Sequence, residues 1–454
     1  MNDDDQVLTN VDYCYKSFAF PQTYQEAMDL PESSNWKAAM EEEMNSLTEN
    51  NTFTLSDLPG GKNAVGGRWV YTIKESSTGA KTFKARYVAK GYSQVRGIEF
   101  QGTFALTANL TSLRVLMQMT AQHDLFLHQM HVKTAYLNAP IDYDIYMEQA
   151  EGFEVSSGSG GRLVYKLNKS LYGLKQSGRN WNHVLDRFLL ENDFVQSPVD
   201  NCVYIKHVGS GFLAMLVWVD DIIIAASNML LMSEAKGMLK LRFHMKDLGV
   251  LSYFLGIHFE QENGFVKMNQ KGYITKVLER FEMSNCKPRS TLSEQKLEFD
   301  GETLPDPRRY CEAVASLVYA MTCTRPDICW VVTKLSQFLV APMKGHWIAS
   351  KHVLRYLKGT LDSELCYRKC DDGLTLIVYS DADWASSTDD RRSISGYYFS
   401  LNRAGPLISW KSRKQPTVAL SSCEAEYIAL VAAVQEGMYL TQMMKYIGEV
   451  SAMS

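Results

Sequence analysis

Asp220 and Asp221 stand side by side in FLAMLVWVDDIIIAAS (212–227), with apolar runs on both sides. Adjacent carboxylates inside so much apolar sequence are costly to desolvate, so something must offset them. The flanking runs read as two strands and the pair as the turn between them. Two hard divalent cations would provide the offset. Mg²⁺ takes carboxylate and phosphate oxygens, and two such ions roughly 4 Å apart can clamp an in-line phosphoryl displacement. That is nucleotidyl-transfer chemistry. The plain alternative is a surface β-turn holding Asp-Asp because Asp suits turns, and the pair alone does not choose between the two.

The elements that must position this turn are legible in outline. Polar, aperiodic residues come first; then Trp36, Met40, Met44 and Leu47 recur at helical spacing behind Ser33 or Ser34 as cap. From Arg68 to Gly91 the sequence alternates, RWVYTIK and FKARYVAK flanking SSTGA, which predicts a hairpin. A helix is expected over Leu110 to Asp124, and short strands and helices mix from Met130 to Met283 with no fixed repeat. Residues 284–309 are polar and proline-bearing, a tether; apolar helical sequence runs from Tyr310 to Leu357, and a strand-rich unit opens near Leu374.

At 454 residues, 46% of them apolar, the chain is long enough for two or three domains with cores. Its nine cysteines are scattered and never spaced Cys-x-x-Cys, which suggests neither a disulfide framework nor a zinc site and fits a reducing, intracellular compartment. MNDDDQVLTN lacks the pattern of a signal peptide, and the most apolar stretch is split by two aspartates, so no membrane partner is expected. The net charge of −4 hides local patterning. Arg162, Lys166, Lys169, Lys175 and Arg179 occur with no acid among them, and Lys74, Lys81, Lys84, Arg86 and Lys90 form a second run: a basic cleft or two solvated faces.

The ordered phrases KARYVAKGYSQ (84–94), VKTAYLNAP (132–140), IYMEQAEGFE (145–154), LNKSLYGLKQSGRNW (167–181), MKDLG (245–249), FLGI (254–257) and CTRPDI (323–328) surround the Asp-Asp pair. In order and spacing they resemble the copia-type retrotransposon reverse transcriptase, from Trp36 to the C-terminus. The resemblance implies that Asp220 and Asp221 hold the catalytic metals. It implies that Lys74, Lys84 and Arg86 contact the incoming triphosphate, and that Gln176 and Arg179 belong to the template and nucleotide contact region.

Several positions depart from the family pattern. The aromatic before Val-Asp-Asp is usually Tyr; Trp218 keeps the ring and loses the hydroxyl. The third metal-binding carboxylate belongs at the start of Asp-Val-Lys-Thr-Ala-Phe, where this chain has His131. Imidazole offers one nitrogen where the metals want a bridging oxygen, and protonation would set positive charge beside two cations. Mg²⁺ binding is expected to weaken, with Mn²⁺ the more tolerant metal. Leu106 and Gly178 stand where the family places prolines.

A second constellation, YSDADWA followed by DRRSISGYYFSL and ISWKSRKQPTVALSSCEAEYIAL, resembles the family's ribonuclease H domain, with Asp381 and Glu426 as its catalytic, metal-holding carboxylates. Ser421 and Glu424 have capping-box spacing, and Tyr427, Val431, Val434 and Met438 mark one helical face. The family takes its next carboxylate from a strand beyond this helix, so the site is expected to be incomplete and without ribonuclease H activity.

The fold class implied is α+β: a right-hand polymerase of fingers, palm and thumb followed by a partial ribonuclease H-like α/β domain. The expected division is a flexible tail (1–35), fingers and palm (36–290), thumb or connection with its tether (291–370) and a C-terminally truncated ribonuclease H-like domain (371–454). The function implied is RNA-directed DNA polymerase, acting on an RNA or DNA primer-template and deoxynucleoside triphosphates and impaired by His131. The rival is a non-catalytic nucleic-acid-binding remnant of a decayed element.

Overall fold

The computed structural model describes residues 20–75, 81–103, 106–156, 162–262, 264–292, 301–387, 390–403 and 405–448, with backbone alone at 74 and 75. The SSTGA loop, Phe104 and Ala105, residues 1–19 of the expected tail and 293–300 of the tether lie outside the described residues.

Among the described residues two helices come first, α1 (Tyr24–Asp29) and α2 (Ser33–Glu49). The first falls inside the expected tail: the Thr23 hydroxyl accepts from the Glu26 N–H at its start and Ala27 is buried, so part of this segment is ordered by a cap the sequence reading passed over. In α2 the residues Trp36, Met40, Met44 and Leu47 are buried as their spacing predicts. Ser33 is the first helical residue rather than the cap; Glu32 precedes it without a capping bond.

Strands β1 (Phe53–Asp57), β2 (Ala64–Val65), β3 (Gly67–Glu75) and β4 (Lys81–Ala89) follow. The predicted hairpin is β3 with β4, in register from Gly67 opposite Ala89 to Glu75 opposite Lys81. α2 packs on β4, with Trp36 edge-on to Tyr71 and Phe83 in a core that also holds Trp69, Leu167 and Leu171.

Next come α3 (Leu110–Gln122), β5 (Phe126–Val132), β6 (Tyr146–Met147), β7 (Leu163–Leu167), α4 (Ser177–Glu191), β8 (Val195–Gln196), β9 (Val203–Val208), β10 (Gly211–Trp218), β11 (Asp221–Ala226), α5 (Met229–Arg242) and β12 (Met245–Val250). Strands in the order β12-β5-β11-β10-β9-β8 make an antiparallel sheet. Its centre explains the unbroken apolar runs around Asp220: Leu213 to Val217 and Ile222 to Ala226 are buried on both faces, so alternation would serve nothing.

β13 (Tyr253–Phe254), β14 (Ile257–Glu262) and β15 (Phe265–Asn269) lead into α6 (Lys271–Arg280), then α7 (Arg308–Cys323), α8 (Cys329–Ser336) and α9 (Lys344–Gly359), which share a core. β16 (Leu365–Arg368) returns to pair with β15. The chain continues through β17 (Ile377–Ala382), β18 (Ile394–Ser400) and β19 (Leu407–Lys414), an antiparallel sheet, to α10 (Ser422–Ile447). Ser421 accepts from the Glu424 N–H as its spacing predicts, while the Glu424 carboxylate accepts from Leu420 N, one residue before the cap.

The face α10 buries is the small one, Ala425, Ala429, Ala433 and Gly437, which lets the helix lie close on β17 and β18. Tyr427, Val431, Val434 and Met438, which mark one face by their periodicity, are 41–64% exposed. Leu376, Phe399, Ile408, Leu440 and Met444 join the same continuous core as β5, β10 and β11.

Candidate active site

Trp218 pairs with Asp221 across the β10–β11 turn, leaving Val219 and Asp220 as its central residues. Val219 has φ +55°, in the left-handed region that β-branched residues rarely enter. Such strain persists only where surroundings hold it. Here Trp181 Nε1 donates to the Val219 carbonyl at 2.6 Å and the Val132 N–H donates to the Asp220 carbonyl at 2.7 Å. β5 lies beside β11 with His131 directly opposite Asp221. His131 Nδ1 stands 3.5 Å from Asp221 Oδ1 and 4.0 Å from Asp220 Oδ2. One ligand atom from each of the three residues lies within 4.8 Å of the others, and among the described residues no other such cluster of three forms.

The three side chains are a quarter to a third exposed, open enough to receive a cation and a substrate. Burial raises the Asp220 carboxyl above its ordinary value; His131 and Arg86 pull it down, and Asp221 pushes it further up. A carboxylate pair held at this cost suits a divalent cation, and the nitrogen of His131 suits Mn²⁺ better than Mg²⁺. Gln129 Nε2 donates to Asp221 Oδ1 at 3.0 Å. The sequence reading missed Gln129, although a residue two positions before His131 on a strand shares its face.

Arg86 reaches the site through aromatic rings: its guanidinium lies 4.5 Å from the centre of Tyr172, whose ring packs 4.7 Å from that of Tyr136. Burial raises both tyrosine hydroxyls, with Asp220 adding to the rise and Arg86 opposing it. The hairpin cation and the turn carboxylate thus act on the same two rings. Gly173 makes this approach possible: its φ is +92°, and a Cβ there would meet the Ala89 carbonyl oxygen at 2.1 Å.

Other predicted residues fall further out. Lys84 is exposed on β4 opposite Thr72; Lys74 sits opposite Thr82, its side chain outside the described residues. Trp218 turns edge-on to Phe254 on the core side of the turn. Gln176, expected at the template, is fully buried: its amide donates to the Glu99 carbonyl at 3.0 Å and it accepts from Gln94 at 3.2 Å, so it fastens the loop after β4. Gly178 lies in the first turn of α4, a position that suits proline, rather than in a loose turn. The basic run 162–179 is less bare than its sequence: Arg162 pairs with Glu148, Lys166 with Asp144 and Arg179 with Asp142, acids from a different segment. Arg179 still lines a cavity of about 770 Å³ together with Arg96, Gly97, Gln101, Gly102 and Tyr143. Asp381 lies on β17 opposite Gly396 and Glu426 in the first turns of α10; both are exposed and neither enters a cluster of three ligand groups among the described residues.

The sequence pattern of the family described as reverse transcriptase (RNA-dependent DNA polymerase) matches residues 50–295, more than half of the chain. The chain belongs to this family, in its copia-type branch. This reverse transcriptase chain is 40% identical over 441 residues to the retrovirus-related Pol polyprotein from transposon TNT 1-94 of Nicotiana tabacum, covering 94% of the chain and 33% of that protein. It is 36% identical over 433 residues to the Pol polyprotein from transposon RE2 of Arabidopsis thaliana, covering 94% and 29%. The chain therefore spans about a third of the length of these relatives. A solved foamy viral protease-reverse transcriptase in complex with double-stranded DNA aligns with 90% of this chain and 61% of its own, at a TM-score of 0.47 and 11% identity. No helix among the described residues is long and apolar enough to cross a membrane.

Proposed function

We propose that this chain carries the RNA-directed DNA polymerase site of a copia-type element, built on Asp220, Asp221 and His131, and that His131 in place of a carboxylate leaves the site weak with Mg²⁺. The observation that carries this reading is the convergence of those three side chains within 4.8 Å at the tip of the central strands. Divalent cations bound there would activate the primer 3′-hydroxyl and neutralise charge on the transferring phosphoryl group.

The chain's own residues do the rest. Asp220 and Asp221 would hold the cations, and Gln129 fixes the Asp221 carboxylate by its 3.0 Å bond. Arg86, held over the Tyr172 ring, supplies fixed positive charge toward the triphosphate of a deoxynucleotide, with Lys84 and Lys74 on the same hairpin. Arg179 in its cavity faces the template strand, and Gln176 acts by holding the loop that borders it. We assign residues 36–290 to fingers and palm, 291–370 to thumb or connection, and 371–454 to a ribonuclease H-like unit that carries Asp381 and Glu426.

One observation favours a second reading. The His131 imidazole faces both carboxylates at 3.5 and 4.0 Å, and pairing with them would occupy the oxygens that a cation needs. A chain in that state would bind primer-template with salt-sensitive affinity and extend nothing, as a remnant of a decayed element would. Primer extension on an RNA template separates the readings: slow extension in Mn²⁺, at or below detection in Mg²⁺, is expected. Efficient extension in Mg²⁺ would refute the impairment, and silence in both metals with intact binding would favour the second reading.

A further inference from the structure

We propose that α3 is a registry pin that fixes the C-terminal sheet against the sheet carrying the Asp220–Asp221 turn, with Arg114 as its positioning residue. The inference does not rest on the catalytic reading. α3 is buried from Leu110 to Ala121, yet Arg114, Gln118 and Gln122 recur every fourth residue along one face.

Each of these side chains reads main-chain groups of a different segment. Arg114 Nε donates to the Ile408 carbonyl in β19 at 2.7 Å, and its Nη1 donates to the Thr322 and Cys323 carbonyls at the end of α7 at 2.9 and 3.2 Å. Its guanidinium stacks 4.0 Å from the centre of the Trp410 ring. Gln118 donates to the Arg368 carbonyl in β16 at 2.8 Å. Gln122 donates to the Cys370 carbonyl at 3.0 Å and accepts from its N–H at 2.9 Å. Elsewhere on the same helix, the Ser112 and Tyr439 hydroxyls meet at 2.7 Å, which ties α3 to α10.

The hydrogen-bond partners of Arg114 are carbonyls, beside a ring, and the Glu436 carboxylate acts on it only through its charge. Burying a guanidinium carries a desolvation cost that its hydrogen bonds must offset, so stability alone does not account for it. Directionality is what it adds. Apolar contact is non-directional, whereas a planar fork aimed at three carbonyls, in line with two amides along the same helix, fits one alignment. The C-terminal sheet, with Asp381, is therefore held by α3 in one orientation to the Asp220–Asp221 turn.

Hydrogen exchange followed by mass spectrometry on the full chain tests this. In Arg114→Met, amides of 377–447 are expected to exchange at least tenfold faster while those of 33–89 stay within twofold of the parent. No change over 377–447 would mean that apolar contact alone holds the joint, and equal acceleration everywhere would make Arg114 an ordinary core residue; either overturns the proposal. Arg114→Lys keeps the charge and loses the fork, so it is expected to stay loosened, and full protection in it would count against the proposal. Should Arg114→Met not fold, Gln118→Met combined with Gln122→Met probes the same face without touching the charge. Selective acceleration over 365–414 is expected, and parental rates there would overturn the pin.

Discussion

Replacing His131 with Asp would put a third carboxylate where the imidazole Nδ1 now stands 3.5 and 4.0 Å from its two partners. At an effective dielectric of about 20, unit charges about 4 Å apart interact by about 4 kcal/mol. Without metal, the new charge meets two carboxylates and is opposed by up to about 8 kcal/mol, much of it relieved by taking up a proton. With two divalent cations at similar separations the attraction is about 16 kcal/mol, leaving about 8 kcal/mol before the desolvation of the carboxylate removes several more. A net of roughly 3–4 kcal/mol corresponds to an increase of a few hundredfold in incorporation rate at fixed Mg²⁺. The assay is single-nucleotide extension of a primed RNA template, run beside thermal unfolding with and without Mg²⁺. His131→Asp is expected to melt below the parent without metal, to recover with Mg²⁺, and to extend faster. A variant that gains stability from Mg²⁺ yet extends no faster would refute His131 as the limiting residue. One that ignores Mg²⁺ in both measurements would refute the cluster as a metal site.

Trp181→Phe removes the 2.6 Å bond to the Val219 carbonyl and leaves that carbonyl without its donor, so urea unfolding should show a loss of about 1–3 kcal/mol; an unchanged midpoint would mean the turn does not need this anchor. Gly173→Ala drives a Cβ to 2.1 Å from the Ala89 carbonyl oxygen at φ +92°, and a loss of more than about 3 kcal/mol, or failure to express in soluble form, is expected; a soluble variant with parental melting would contradict the close approach. Burial would raise the Asp247 carboxyl, but bonds from Lys236, Lys240 and the Gly249 N–H hold it at about 2. Because the folded value lies below the ordinary one, its contribution is present above about pH 4 and lost as pH falls toward 2. The stability difference between the parent and Asp247→Asn should therefore shrink over that range, and a constant difference would contradict the assignment.

Much of the site was legible because its signals are local. The Asp-Asp pair between two unbroken apolar runs is a turn between central strands, and the alternation around Arg86 is a hairpin, as the register confirms. What escaped depends on contacts between distant segments. Gln176 reads as a polar residue in a basic phrase, and only folding shows that Gln94 and Glu99 enclose it. The cations of 162–179 look unpaired until Asp142, Asp144 and Glu148 arrive from the preceding segment. In α10 the stronger apolar periodicity, Tyr427 to Met438, lies on the open face, because the sheet accepts the small-residue face instead. Arg114 gave no signal at all: a lone arginine in an apolar helix is recognisable as a fastening only when its three carbonyl partners are known.

The central claim is that His131, Asp220 and Asp221 bind one set of divalent cations, and titration of the purified chain with Mn²⁺ followed by electron paramagnetic resonance tests it most directly. Saturable binding is expected with a nitrogen coupling from the imidazole, lost in His131→Asp while binding persists, and binding itself lost in Asp220→Asn combined with Asp221→Asn. Mn²⁺ binding that survives the loss of both carboxylates, or a nitrogen signal unchanged in His131→Asp, would contradict it.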